Sequence, residues 1–599
     1  MNMLTVATVL FLTEITKNGG TGGKFPCAGR LGRDTEMRYM KEILQTNKAM
    51  IIVYIASGIA CSFLANYKAD YFQRIIDGLA GDTLALSGIV IYGAVIAADY
   101  CLSYLDEYPA KKLENGIYLD FKLLALKKIS KIDYLEYQKL GTGKLANRIE
   151  NGAEAGKGVL FDFYFCLVRQ LIPTVCFSVY FIWRISARIT CLIIGGYLLV
   201  FMITAMLLKV LYRIKEKILT GEEQMNHYLV RGFMEMVLFR FERQFPMEIE
   251  KASEAREQIV GAKVKMNLVH EAFFTMFALM EAALEIGVLL YTWKTGGLSA
   301  GAAVALIGLI HNAYTPIAVF NVLFVQYKLD KTAFKRFEAF LKAKEDEGLY
   351  QGVTAKRVSG CIQIRNLRFS YGERLLFDGL NLSLRPGEKV AFVGESGSGK
   401  STLVKIIGGL LKYEEGSICI DGTEVKELCL DSLYAHMNYI SQEAPVFDGT
   451  LRTNLVFYKN VEENRLCEAL EKMGLDFLLR QAEQGLDTDV GERGMMLSGG
   501  EKQRLALARL WLFPKQIVIL DEATSAIDNL TEEKAMEELL RVLEGRTVIA
   551  VAHRLSSVRK FNRIVVFNRG KIVGEGSYEE LLETNSYFRQ LYESGIKVI

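Results

Sequence analysis

The fold class this sequence predicts is multidomain: a membrane domain of six helical spans, followed by an α/β domain built on buried strands. Three observations predict it. All the longest apolar runs lie before residue 330. A glycine-rich loop, residues 394–402, follows directly on the strand-like run Lys389-Val390-Ala391-Phe392-Val393. A second apolar run, Ile517 to Leu520, ends in the acidic pair Asp521 and Glu522.

Size and composition bound the reading. The 599 residues are too many for one ordinary domain. Apolar residues make up 51 %, slightly above the soluble average. A net charge of only +3 gives no case for nucleic-acid binding. The 10 cysteines form no CxxC pair, which argues against a zinc site or a disulfide scaffold. The 5 histidines form no HExxH.

Taken in order, residues 1–35 form a poor secretory signal, because no basic residue precedes the weakly apolar start. They are expected to be a disordered or non-native tail, with Met37 and Met40 as alternative starts. The membrane domain is assigned to 36–345 and opens with an interfacial amphipathic helix near Glu36–Leu44. Six spans follow, at about 48–72, 84–106, 159–182, 186–210, 270–293 and 299–326, each with roughly the 20 residues a crossing helix needs. Two long polar stretches, 107–158 and 211–269, read as helical extensions, since Leu113, Ile117, Phe121 and Leu124 recur at helical spacing. Two spans separate these stretches and two more precede the α/β domain, so all three lie on one side. The positive-inside tendency makes that side cytoplasmic, with Arg184 and Arg188 as exceptions. A linker at 346–360 leads to the second domain, 361–599.

The glycine loop reads Gly394-Glu395-Ser396-Gly397-Ser398-Gly399-Lys400-Ser401-Thr402, between a strand and a predicted helix. That is the context a phosphate loop requires: backbone N–H groups curl around phosphates and Lys400 adds a point charge. Ser401 offers a hydroxyl to Mg²⁺. Asp521 suits a hard-metal ligand and Glu522 a group that polarises attacking water. The second domain is therefore a P-loop α/β ATPase.

At this point the pattern resembles the ATP-binding cassette (ABC) exporters, over about residues 36–599. The resemblance implies ATP and Mg²⁺ as cofactors and a multi-pass cell-membrane protein with its ATPase domain in the cytoplasm. It makes Leu497-Ser498-Gly499-Gly500-Glu501 the signature that reaches the partner's ATP. Tyr371 takes the adenine-stacking position. Gln442 matches the residue that senses Mg²⁺ and the attacking water, and His553 the switch histidine. Ser525 and Asp528 flank the loop that speaks across a dimer, and Glu492 belongs to a coupling segment. One cassette per chain implies a dimer, with the intact catalytic set favouring a homodimer over a related half-transporter. Short coupling helices are expected near 115–125 and 220–240.

The resemblance leaves cargo open. Glu281 and Glu285 are four apart, on one face of the fifth span, where a carboxylate in hydrocarbon is expensive. Asp99, His311 and Asn312 are candidates to join them, and Arg169 to pair with one. One reading is a cavity for a cationic amphipathic molecule or processed peptide; the other is structural bonding to a neighbouring helix. Lipid or drug export, or a membrane ATPase acting as a sensor, are the alternatives. A soluble cassette protein is disfavoured by the spans, and an importer by the fusion of both parts in one chain.

Overall fold

The computed structural model describes residues 31–599 apart from 141, 296, 458, 482–483, 492–493, 553–556 and 597–599. The chain divides into two compact units. One holds the chain up to Ser130 together with Leu140–Ala343; the other joins Lys131–Lys139 to everything from Lys344 onward. The predicted tail thus lies almost wholly outside the described residues, and helix α1, Leu31–Thr46, begins ahead of the expected interfacial segment.

The first unit is helical. α2 (Lys48–Ala80) and α3 (Leu86–Ile129) carry the first two predicted spans. The short helix α4 (Tyr134–Leu140) precedes α5 (Thr142–Lys157), which continues through π-helical turns at Gly158–Phe165 and Leu167–Leu171 into α6 (Ile172–Ile185). α7 (Ala187–Met234), the short α8 (Met236–Phe241), α9 (Phe245–Thr295) and α10 (Ala300–Leu341) complete it. Among the described residues five helices are long and apolar enough to cross a membrane. The fourth predicted span falls in α7, whose apolar stretch among those residues is the shorter Ala187–Leu199. At about 1.5 Å per residue, the 51 residues of α9 run on the order of 75 Å, more than twice the ~30 Å hydrocarbon. The polar stretches are therefore continuations of the spanning helices.

One expectation is corrected here. No short helix lies at 115–125, because α3 runs unbroken through it. Leu113, Ile117 and Phe121 are wholly buried, and the Phe121 ring meets Phe334 and Phe337 of α10 at 5.3 and 6.2 Å. The apolar spacing marks a packing stripe. The break comes later, at 130–133, where the Asp133 carboxylate accepts from Leu135 N–H at 2.9 Å and starts α4. The second short helix, α8, lies at the end of its predicted range.

Polar groups inside the spans find partners. Lys68 bonds Asp99 at 2.7 Å, so Asp99 does not join Glu281. Arg169 pairs with Asp106, which also accepts from Ser57, and lies over the Tyr54 ring at 4.2 Å; it does not reach for Glu281 or Glu285. Asn312 donates to the Ala65 carbonyl at 3.2 Å, tying α10 to α2.

The second unit is built on a six-stranded sheet. Its strands are β1 (Ile362–Tyr371), β2 (Arg374–Leu384), β3 (Lys389–Gly394), β4 (Glu415–Ile420), β5 (Thr423–Glu424), β6 (Met437–Ile440), β7 (Ile517–Asp521), β8 (Thr547–Val551), β9 (Arg563–Asn568) and β10 (Lys571–Gly576). The larger sheet has the order β10-β9-β3-β8-β7-β6, parallel except for β10. The smaller, β2-β1-β4-β5, is antiparallel. Parallel strands covered on both faces read as continuous apolar runs, and every residue of β7 and β8 is buried. Alternate side chains feed two cores: Val390, Phe392, Ile517 and Ile519 one, Ala391, Val393, Val518 and Leu520 the other.

Residues 131–139 are built into this second unit. Asp133 N–H donates to the Lys344 carbonyl at 3.0 Å and Asp346 N–H to the Lys131 carbonyl at 2.8 Å. Tyr134 and Leu135 pack on the core that contains Phe392 and Ile519.

A candidate nucleotide site

The glycine loop is shaped by conformations that side chains disfavour. Gly394, Gly397 and Gly399 have φ of +146°, +78° and +107°. A Cβ at Gly394 would run into the Phe567 carbonyl. The loop delivers the chain into α11 (Lys400–Ile407), so Ser401 and Thr402 sit in its first turn, where free N–H groups and the helix dipole favour anions. The Lys400 ammonium donates to the carbonyls of Gly394 and Glu395, both at 2.8 Å, and to Ser398 Oγ at 3.3 Å. Burial pushes its pKa down, while Glu522 and Asp521 oppose that shift.

The loop borders a cavity of about 360 Å³ walled by Tyr371, Arg374, Leu376, Ser396, Gly397, Gly399, Lys400, Ser401, Thr402 and Glu522. Tyr371 Oη and Thr402 Oγ1 are 3.4 Å apart. β7 ends at the two acids, of which Glu522 lines the cavity. Asp521 is its last residue, and Ser401 Oγ donates to Asp521 Oδ1 at 2.6 Å. A hydroxyl and a carboxylate in contact form a hard-oxygen donor pair that fits Mg²⁺. Glu522 then turns the chain, at φ +55°, a region costly for a non-glycine residue. That reversal directs adjacent carboxylates differently, one into the donor pair and one onto the cavity wall.

The signature segment opens α12 (Gly499–Leu512). Ser498 caps it: its Oγ accepts from Glu501 N–H at 3.3 Å, while the Glu501 carboxylate accepts from Ser498 N–H at 2.6 Å. A Cβ on Gly500 would lie 2.8 Å from the Ala526 carbonyl, so no larger residue fits that approach. Asp528 likewise caps α13 (Asn529–Val542), accepting from Thr531 N–H at 3.0 Å, a bond that holds its carboxyl below the usual range. Leu497 is buried. Glu492 and His553 lie outside the described residues.

Three residues escaped the motif search. Arg374 and Leu376 enter the cavity from β2, away from any motif. Gln503 is buried and carries three bonds: to the Gln442 carbonyl at 3.2 Å, to Ser525 Oγ at 3.0 Å, and from Ala526 N–H at 2.8 Å. The Gln442 side chain itself is exposed and is not one of the cavity walls.

In the membrane unit, His311 Nδ1 and Glu281 Oε1 lie 2.9 Å apart, bringing together two of the predicted cavity residues. Glu285 lies one turn away on the same helix, half-buried. The Tyr197 and Tyr314 rings pack at 5.0 Å nearby, both buried, and among the described residues neither hydroxyl has a partner.

A phosphate cradle with a hard-metal donor pair, in a chain whose described residues hold five membrane-length helices, defines an ATP hydrolase coupled to transport in a multi-pass membrane protein. Residues 377–525 match the family model described as ABC transporter. Residues 377–525 therefore form an ABC transporter ATPase domain, fused in one chain to a multi-pass membrane part, and that ATPase domain is cytoplasmic. The chain is 36 % identical over 310 residues to the uncharacterized ABC transporter ATP-binding protein YwjA of Bacillus subtilis, a match spanning 51 % of this chain and 54 % of that one. It is 28 % identical over 528 residues to the ATP-dependent lipid A-core flippase of Pseudomonas fluorescens, covering 86 % of each. Its fold matches a bacterial Atm1-family ABC exporter with ATP bound, at TM-score 0.78 and 21 % identity, over 92 % of this chain and 98 % of that one.

Proposed function

We propose that this chain exports a lipid or lipid-like amphiphile, working as a dimer by alternating access, with α7 supplying the fourth of six spans. The observation that carries the cargo class is the pairing of charge inside the spans. Asp99, Asp106 and Glu281 each carry a basic partner from their own chain, Lys68, Arg169 and His311. Paired carboxylates attract cations weakly, which counts against a strongly cationic cargo. The likeness to lipid A-core flippases along most of the chain supports the same choice.

In this reading His311, Glu281 and the two tyrosine hydroxyls are a small polar station in an apolar path, suited to a headgroup. Lys400 and the loop N–H groups hold the phosphates, Ser401 and Asp521 hold Mg²⁺, which would neutralise developing phosphate charge, and Glu522 with Gln442 and His553 orients and polarises the attacking water. The signature of a second copy would close each site. The test is reconstitution in liposomes with fluorescent lipids. ATP-dependent translocation, absent in Glu522→Gln, is expected. ATPase stimulation by cationic peptides without lipid translocation would overturn the cargo class.

A further inference from the structure

The Asp521 carboxylate has a second partner that no nucleotide motif includes. Tyr439, in β6, donates from Oη to Asp521 Oδ2 at 2.9 Å, while Ser401 donates to Oδ1. We infer that Tyr439 is a positioning residue for Mg²⁺, fixing the Asp521 carboxylate in the orientation that faces Ser401.

The geometry is specific. Asp521 is buried, so an oxygen left without a donor would be costly. Its carboxylate plane is free about one terminal torsion, which is broad and roughly two-fold. A donor on each oxygen removes that freedom. Ser401 can offer a lone pair to a metal while its proton still goes to Oδ1, and Tyr439 holds Oδ2. β6 runs parallel to β7, pairing Tyr439 with Ile519 and Ile440 with Leu520, and the register carries the phenol to the strand end where the acid sits. A phenol facing a carboxylate can only donate to it, so the 2.9 Å bond runs from Tyr439 to Asp521.

The same residue faces the inserted segment. Tyr439 and Tyr134 are both partly buried against one core. Tyr439 also lies three residues before Gln442.

The test uses the full chain in lipid nanodiscs and Tyr439→Phe, which keeps the ring and removes the hydroxyl. Mn²⁺ binding is measured by electron paramagnetic resonance with a non-hydrolysable ATP analogue present. Nucleotide affinity is measured separately in EDTA. The expected result is a roughly five- to twentyfold loss of Mn²⁺ affinity, with metal-free nucleotide affinity within about twofold of the parent. Tyr439→Leu, which also removes the ring, controls for packing: the same Mn²⁺ loss with a lower melting temperature is expected. Parent-like Mn²⁺ affinity in Tyr439→Phe would overturn the inference, as would equal losses of Mn²⁺ and metal-free nucleotide binding. So would a Mn²⁺ loss seen only in Tyr439→Leu, which would assign the effect to the ring.

Discussion

Replacing Gln503 with Ala should loosen the ATPase unit by an amount the structure allows to be worked out. The side chain is 4 % exposed and joins three segments: the Gln442 carbonyl, Ser525 Oγ and Ala526 N–H. Each bond contributes about 1 kcal/mol net, and a buried group left unpaired costs about 1–3 kcal/mol. Allowing for partial relaxation, the loss is about 2–4 kcal/mol. For a domain of this size, each kcal/mol moves the melting temperature by about 2–4 °C, so a drop of roughly 4–16 °C is expected by scanning calorimetry. ATP turnover should fall as well, because the bonds fix the loops bearing Gln442 and Ser525 against α12. Gln503→Glu should also destabilise: a carboxylate keeps the bond from Ala526 N–H but opposes the Gln442 carbonyl and buries a charge. A Gln503→Ala protein that melts and hydrolyses ATP like the parent would refute the bridge.

Glu522→Gln keeps the size of the side chain at a strained backbone position, so ATP binding should persist while hydrolysis falls by at least a hundredfold; steady-state ATPase beside filter-bound ATP decides it. Lys400→Ala removes the cradle's cation, and nucleotide affinity by fluorescence titration should drop at least tenfold; parent affinity would count against the loop assignment. Gly500→Val forces a branched side chain against the Ala526 carbonyl and should abolish turnover while leaving the melting temperature within a few degrees, a split that a general folding defect would not give. Glu281→Gln with His311→Ala dismantles the polar station in the spans. Lipid-stimulated ATPase should fall with basal ATPase retained; equal stimulation in parent and variant would return the pair to a structural role.

The ATP site was legible because its parts are local. A phosphate loop needs glycines, a lysine and a hydroxyl within nine residues, and the structure puts them in one cavity with Glu522 and Tyr371. Tyr439, Arg374 and Gln503 were not legible. Tyr439 and Gln503 act through partners distant in sequence, Arg374 reaches the cavity from a strand remote from the loop, and none belongs to a spacing that phosphate chemistry dictates. The apolar recurrence through Leu113, Ile117 and Phe121 gave helix correctly, whereas the short helix that the family resemblance put near 115–125 is absent there; a stripe says that a face is covered and not by what. It is covered by Phe334 and Phe337, more than two hundred residues later. The carboxylates of the spans taught the same lesson. Four-residue spacing put Glu281 and Glu285 on one face, yet the partners of Asp99 and Glu281 came from other helices.

The nine residues Lys131–Lys139 bear on how the protein is made. They leave the ribosome about two hundred residues before the chain they complete, between the synthesis of the second and third spans. The ATPase surface that receives Tyr134 and Leu135 therefore emerges last, onto a segment already held at the membrane, and finishing the cassette becomes a docking event that checks whether the early spans are in place. A fragment cut at Lys344 would expose that apolar seat, and adding a peptide of residues 131–139 should reduce its aggregation.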